Sequence, residues 1–197
     1  MYLAVHAIAT CRPKPLLELN NPSQPYLLDF GAVMFDRQGA IVEQLSTFVK
    51  PGPTAKLTTG AYKNHGISLD LARRIGQEPD DVFDWFRKHA LEVDCIVGHD
   101  VHLLSQVMRI AGARATGDIW FPPCEMYCTM SLEKTLLPMA FAERNFSTDP
   151  IAERPPTLPE TYERITGTAF TGSRSAINYA KACMAIHRQI QRADVSG

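Results

Sequence analysis

The first third of the chain contains three segments in which apolar and β-favouring residues dominate. They are MYLAVHAIA, PYLLDFGAVMFD and AIVEQLSTFVKPG, and their composition predicts three strands. The turn residues DRQG between the second and third segments predict an antiparallel hairpin. The segment CRPKPLLELNNPSQP after the first strand contains four prolines and two adjacent asparagines, which predicts an exposed loop.

Helical spacing of apolar residues follows the third strand. LTTGAYKNHGISLDLARRIG predicts short helical turns, and EPDDVFDWFRKHALEVD predicts an amphipathic helix with Pro79 in its first turn. CIVGHD predicts a short buried strand. Four further helices are predicted, in VHLLSQVMRIAGA, YCTMSLEKTLLP, PTLPETYERITG and SRSAINYAKACMAIHRQIQRA, the last with Ala176, Ala180, Cys183 and Ile190 along one face. This order predicts an α/β fold with a mixed sheet flanked by helices.

Length and charge narrow the class of protein. A chain of 197 residues with 45% hydrophobic composition is long enough for one well-buried domain, taken as residues 1–197. The chain has 20 Lys+Arg and 21 Asp+Glu, so its net charge is close to zero. Any contact with a polyanion therefore requires a local patch of basic residues. With no apolar run of membrane length and no signal-like start, we expect no membrane association and a cytoplasmic location. The five scattered cysteines favour reduced thiols over a disulfide framework.

Several strings carry a family resemblance through their order and spacing. They are the hairpin LLDFGAVMFDRQGAIVEQLSTFVKPG, the turn NHGIS, the strand VGHD, and later YCTMSLEKTLLP and PTLPETYERITGTAFTG. Together they resemble the DEDD-type 3′–5′ exonucleases, which include proofreading exonucleases and RNase T, and in particular the bacterial and phage branch. The resemblance spans nearly the whole chain and implies a ribonuclease H-like fold with a central mixed five-stranded sheet. In that family, four carboxylates hold two divalent metal ions that hydrolyse phosphodiesters.

The first two motifs of that family lack their carboxylates here. HAIATCRP stands where the family has Asp-x-Glu-Thr-Thr-Gly-Leu-Pro, which places His6 and Ile8 at the two acidic positions. GHDVHLLSQVM places Leu104 at the aspartate of the second motif and Asp100 at its asparagine. The loss in the first motif is independent of register, because LAVHAIATC contains no carboxylate.

The third motif is changed in the same way. GSRSAINYA places Arg174 at the family's histidine and Tyr179 at its aspartate, and SRSAINYAKACMAIHRQIQ contains no Asp or Glu. We therefore predict no catalytic residue, no bound metal and no cofactor. The protein is interpreted as a catalytically inactive 3′–5′ exonuclease-like protein, a pseudonuclease on this scaffold.

Three functional hypotheses are compatible with this interpretation. In the first, the protein binds single-stranded DNA or RNA, or a 3′ end, through His6, Asp100, Arg174 and Tyr179. Arg174 then pairs with a phosphate and Tyr179 stacks on a base. Loss of the carboxylates removes their repulsion of that phosphate.

The other two hypotheses belong to different classes. In the second, apolar residues fill the former metal site and the protein binds a protein partner through the proline-rich loop or a strand edge, which also permits a homodimer. In the third, a relocated site of His6, His99, Asp100 and His102 holds manganese or zinc. Against these stands a purely structural role, since His65 and His99 belong to the family framework and His6 and Tyr179 also suit a packed core.

Overall fold

A five-stranded sheet forms the centre of the computed structural model, which describes residues 1–117, 119–131 and 155–196. The strands are β1 (Tyr2–Ala9), β2 (Leu27–Phe35), β3 (Ile41–Phe48), β4 (Cys95–Gly98) and β5 (Glu125–Cys128). Their order across the sheet is β3-β2-β1-β4-β5, with β1 antiparallel to β2 and parallel to β4. The predicted mixed sheet and the β2–β3 hairpin are confirmed.

Helices cover both faces of this sheet. They are α1 (Thr59–His65), α2 (Leu69–Ile75), α3 (Pro79–Ala90), α4 (Val101–Thr116), α5 (Leu158–Thr166) and α6 (Ala176–Ser196). Helices α3 and α4 contribute Phe83, Phe86 and Met108 to the core on one face. Helices α5 and α6 pack on the other face. Because both faces are covered, β2 is buried along its whole length, which accounts for its nearly continuous apolar sequence.

One expectation from the sequence needs correction. The segment YCTMSLEKTLLP was predicted to be helical, but Tyr127 and Cys128 belong to β5, and only residues 129–131 are helical before the segment leaves the described residues. Parallel pairing of β5 with β4 extends the sheet, and this tertiary contact overrides local helical spacing. The predicted exposed loop after β1 is confirmed, and it is also firmly anchored.

Two polar side chains anchor this loop. The buried Gln24 amide nitrogen donates to the carbonyl oxygens of Lys14 and Leu17, at 2.9 and 3.0 Å. Arg114, at the end of α4, donates to the carbonyl oxygens of Asn21, Gln24 and Pro25, and its guanidinium lies 3.8 Å from the ring centroid of Tyr26. The loop after β1 is therefore held in one position relative to α4.

The start of α6 is fixed directly to β2. A side chain at Gly31 would collide with the α6 backbone at Ala176 and Ile177, so only glycine permits this approach. The buried carboxylate of Asp29 accepts a hydrogen bond of 2.8 Å from the Ala176 N–H. Burial raises the pKa of Asp29, and hydrogen bonds from the Ala176 and Phe30 N–H groups oppose that shift. This carboxylate caps α6 from a different element.

Further along α6, His187 lies in an aromatic environment. Its ring centroid is 4.7 Å from those of Tyr2 and Tyr127 and 5.9 Å from that of Phe35. The side chain is buried, and its Nδ1 atom has no hydrogen-bond partner among the described residues. Burial lowers the pKa of His187 to about 4. None of the helices in the described part of the chain, α6 included, is both long and apolar enough to cross a membrane.

Asp29→Ala should lower the free energy of unfolding by about 1–3 kcal/mol, because it leaves the Ala176 N–H without its acceptor. Asp29→Asn should cost less, since the amide oxygen still accepts and no charge is buried. Urea unfolding measures both. The control is Asp84→Ala, which removes an exposed carboxylate 3.7 Å from Arg87. Equal stability of wild type and Asp29→Ala would contradict the cap.

Stability should fall as the pH is lowered from about 6.5 to 4. In this window His187 is protonated in the unfolded chain and neutral in the folded protein. Each histidine of this kind lowers the free energy of unfolding by about 1.4 kcal/mol for each unit by which the pH falls. His187→Phe should reduce this slope in urea unfolding measured between pH 4.5 and 6.5. Phe35→Leu, which weakens the same aromatic cluster, should lower stability without changing the slope. An unchanged slope in His187→Phe would refute this assignment.

Candidate functional site

The carboxyl end of β1 places the two first-motif residues on the sheet face that meets α6. His6 and Ile8 are two residues apart, so their side chains leave the same face. On the neighbouring strand β2, His6 is paired with Gly31 and Ile8 with Asp29. These two β2 residues fix the start of α6. The close approach at Gly31 therefore brings the first turns of α6 over this end of β1.

His6 meets Tyr179 of α6 in that space. The two ring centroids are 4.8 Å apart and the rings are edge to face. Burial, together with a smaller effect of the nearby His99, lowers the pKa of His6 to about 4, so the imidazole is neutral at pH 7. Burial raises the pKa of the Tyr179 hydroxyl, and the positive charge of Arg174 opposes part of that shift.

Arg174 is exposed, and its positive charge acts on the Tyr179 hydroxyl. It precedes α6, and its Nη1 atom donates a hydrogen bond of 3.0 Å to the carbonyl oxygen of Asn64 in α1. This contact joins the segment before α6 to the end of α1. The structure thus brings together three of the sequence-predicted site residues, His6, Tyr179 and Arg174, and we call them the His6 cluster.

The two apolar residues at the motif positions, Ile8 and Leu104, are packed in hydrophobic clusters. Ile8 is 8% exposed and packs with Leu28, Ile67 and Ala176. Leu104 is 6% exposed and belongs to the core on the α3–α4 side, where it packs over Gly98. Aliphatic side chains therefore occupy two of the positions to which the family resemblance assigns metal ligands.

Asp100, His99 and His102 of the GHDVH string each contact different partners. Asp100 caps α4 by accepting from the Leu103 N–H at 3.2 Å, and its positive φ of 58° shapes the sharp turn from β4. His99 contacts the Thr129 hydroxyl and the Pro156 carbonyl oxygen, each at 3.0 Å. His102 is exposed and pairs with Gln106 of the next turn.

Two polar residues near the site were not identified from the sequence. Asp29 was overlooked in the apolar string LLDFG, although a carboxylate in a fully covered strand signals a buried partner. His65 was assigned only a framework role. Its Nδ1 atom accepts a 3.0 Å hydrogen bond from the Ile67 N–H, while its buried Nε2 atom has no hydrogen-bond partner among the described residues.

The residues present do not fit a pair of divalent metal ions. Such ions require several oxygen ligands, and the assigned positions carry imidazole, isobutyl, sec-butyl and phenol side chains. Within residues 1–117, 119–131 and 155–196, no group of three or more His, Cys, Asp or Glu side chains is arranged to hold a metal. The proposed set His6, His99, Asp100 and His102 is not assembled as such a group.

Comparison with known proteins gives a structural match without a sequence match. No protein-family model matches the chain, and no curated protein matches it. Among solved structures, E. coli exonuclease I in complex with a dT13 oligonucleotide has a TM-score of 0.74 at 16% identity, covering 98% of this chain and 42% of that chain. The zinc-bound complex of E. coli exonuclease I with single-stranded DNA has a TM-score of 0.75 at 15% identity, covering 99% and 41%.

An exonuclease I complex with SSB-Ct is similar in the same way, with a TM-score of 0.74 at 16% identity over 99% of this chain and 42% of that chain. This chain thus spans about two fifths of the length of these nucleases. The match extends over nearly every element of the sheet and its helices. The chain therefore has the ribonuclease H-like fold of the DEDD-type 3′–5′ exonucleases, the family that its sequence motifs resemble.

Proposed function

We propose that the protein binds single-stranded nucleic acid at the His6 cluster and does not cleave it by a metal-dependent reaction. The observation that carries this proposal is the exposed guanidinium of Arg174, whose charge acts on Tyr179, while the Tyr179 ring packs edge to face against the neutral His6. A guanidinium pairs with a phosphate directly. An aromatic ring beside it offers a surface for a base.

Exposed basic residues flank the contact between the end of β1 and the start of α1. Thr58, which caps α1, donates its backbone N–H to the carbonyl oxygen of Thr10 at 3.2 Å, so α1 begins against the residue that follows β1. Four exposed basic residues lie within five positions of this contact along the chain, namely Arg12, Lys14, Lys56 and Lys63. The two segments that meet here are therefore rich in positive charge, on a chain with a net charge of −1.

The carboxylates nearest to the His6 cluster are already engaged. Asp29 accepts from the Ala176 N–H, and Asp100 accepts from the Leu103 N–H. Each carboxylate therefore compensates the positive end of a helix, which reduces its repulsion of an incoming phosphate. Asp100, a candidate contact from the sequence, supports the site in this proposal by fixing the start of α4.

The similar solved structures add support at the level of the fold. E. coli exonuclease I is described with oligonucleotides such as dT13 and dA16 bound. In this chain, His6 near the carboxyl end of β1 contacts Tyr179 of α6. We extend nucleic-acid binding to this protein on the charge and chemistry of its own residues.

A protein partner is the second candidate, favoured by one observation. Leu16 is 97% exposed at the tip of the loop that Gln24 and Arg114 hold in place. Apolar side chains displayed on rigid loops serve as anchors in protein interfaces. The edge strand β3 also exposes Val42, and a second copy of the chain is a further possible occupant there.

Purified protein should bind 3′-labelled single-stranded DNA or RNA, measured by anisotropy, and leave it intact in Mg²⁺, Mn²⁺ and chelator. Arg174→Gln should weaken binding about threefold to tenfold and lower the salt slope by about 0.7, the value for one phosphate contact on a single strand. The matched control is Arg188→Gln, since Arg188 also donates to one backbone carbonyl oxygen, that of Gln38.

Absence of binding to any strand would refute the proposal and favour the protein partner, whose test is loss of complex formation in Leu16→Ser. Metal-dependent shortening of the strand by wild type, abolished in His6→Ala, would instead establish a catalytic site. Equal affinities of wild type and Arg174→Gln would remove Arg174 from the interface.

Restoring the family's residues tests the assignment of the lost ligands. The variant with Asp at positions 6, 104 and 179, Glu at position 8 and His at position 174 should be less stable in chelator, because it buries several carboxylates. Mn²⁺ should raise its melting temperature by several degrees through binding to the folded state, with no such shift in wild type. A folded variant that Mn²⁺ does not stabilise would contradict the assigned positions.

A further inference from the structure

We propose that the His6 cluster, together with His65, is a subsite for a terminal phosphate of a bound strand, in preference to a hydroxyl end. This inference rests on the proposed function and specifies its ligand. The relevant chemistry is that of a phosphomonoester, which occurs at a 3′ or a 5′ end. Three observations support it, and they concern an unpaired donor, the contacts that link the groups and the balance of charge.

The first observation is an unpaired N–H donor on His65, the residue that follows the Arg174 contact Asn64. Because the Nδ1 atom of His65 accepts from the Ile67 N–H, the neutral imidazole carries its proton on Nε2. This Nε2 atom is buried and has no hydrogen-bond partner among the described residues. A buried donor without a partner is costly, and a ligand oxygen would satisfy it.

The second observation is that direct contacts link these groups. His65 directly follows Asn64, whose carbonyl oxygen accepts from Arg174. Ile67, whose N–H donates to the His65 ring, packs with Ile8 and Ala176. The ring centroids of Tyr179 and His6 are 4.8 Å apart, and the positive charge of Arg174 acts on the Tyr179 hydroxyl. The exposed Arg174 and the buried Nε2 atom of His65 therefore belong to one connected set of contacts.

The third observation is the charge balance. A phosphomonoester carries nearly two negative charges at pH 7 and three free oxygens, whereas an internal phosphodiester carries one charge and two free oxygens. The site offers the positive Arg174 and the N–H and O–H donors of His65 and Tyr179. The nearby carboxylates of Asp29 and Asp100 are bound to backbone N–H groups. The additional negative charge and the additional oxygen of a terminal phosphate therefore make contacts that a hydroxyl end cannot make.

The experiment compares one oligothymidylate in three forms, with hydroxyls at both ends, with a 3′-phosphate, and with a 5′-phosphate. Competition anisotropy is measured in chelator at pH 7.5 and moderate salt. One of the two phosphate-ended strands should bind about fivefold or more tightly than the hydroxyl-ended strand, the effect of roughly one surface charge contact. The end that is preferred assigns the polarity of the bound strand.

Two variants test the assigned donors. Arg174→Gln removes the guanidinium, and His65→Asn removes the Nε2 donor while an amide oxygen still accepts from the Ile67 N–H. Each should abolish most of the preference for the phosphate end, while Arg188→Gln keeps it. Circular dichroism and urea unfolding confirm that each variant is folded.

The outcomes separate this inference from the proposed function. Binding with equal affinity for all three ends would overturn the inference and leave single-strand binding intact. A preference that survives in both Arg174→Gln and His65→Asn would also overturn it, because the phosphate would then bind elsewhere. Failure of every strand to bind would overturn the proposed function and this inference together.

Discussion

The backbone of the last helix touches the backbone of β2, and the arrangement of the site depends on this contact. Gly31 permits the approach because any Cβ atom there would overlap Ala176. Asp29, two residues earlier on the same strand face, fixes the approach by accepting from the Ala176 N–H. Burying that carboxylate is unfavourable by itself, as the raised pKa indicates, and the hydrogen bonds that it accepts offset this cost. The position of α6 then sets where Tyr179 lies.

The residues at the motif positions around that contact have two different physical roles. Ile8 and Leu104 are buried in separate hydrophobic clusters and contribute to packing. His6 and Tyr179 instead meet edge to face, and Arg174 contacts the end of α1. The aliphatic side chains therefore contribute to the core, while the aromatic and cationic side chains form polar contacts between α6, β1 and α1.

Much of the fold could be predicted from the sequence because its signals are local. The hairpin follows from DRQG between two apolar segments, and α3 follows from Pro79 and the helical spacing of Val82, Phe83 and Phe86. The prediction failed at Tyr127 and Cys128, where pairing with β4 decides the structure. The anchoring of the proline-rich loop was also missed, since Arg114 reaches it across about 90 residues of sequence.

The sequence by itself determined which chemical groups stand at the motif positions, because side-chain identity does not depend on folding. It therefore determined that β1 and residues 173–191 contain no Asp or Glu carboxylate to serve as a ligand for a divalent metal. Only the tertiary structure decided which groups face one another. The contacts between Asp29 and Ala176 and between Arg174 and Asn64 join residues 147 and 110 positions apart. Such contacts follow from strand register and helix placement, which are properties of the packed chain as a whole.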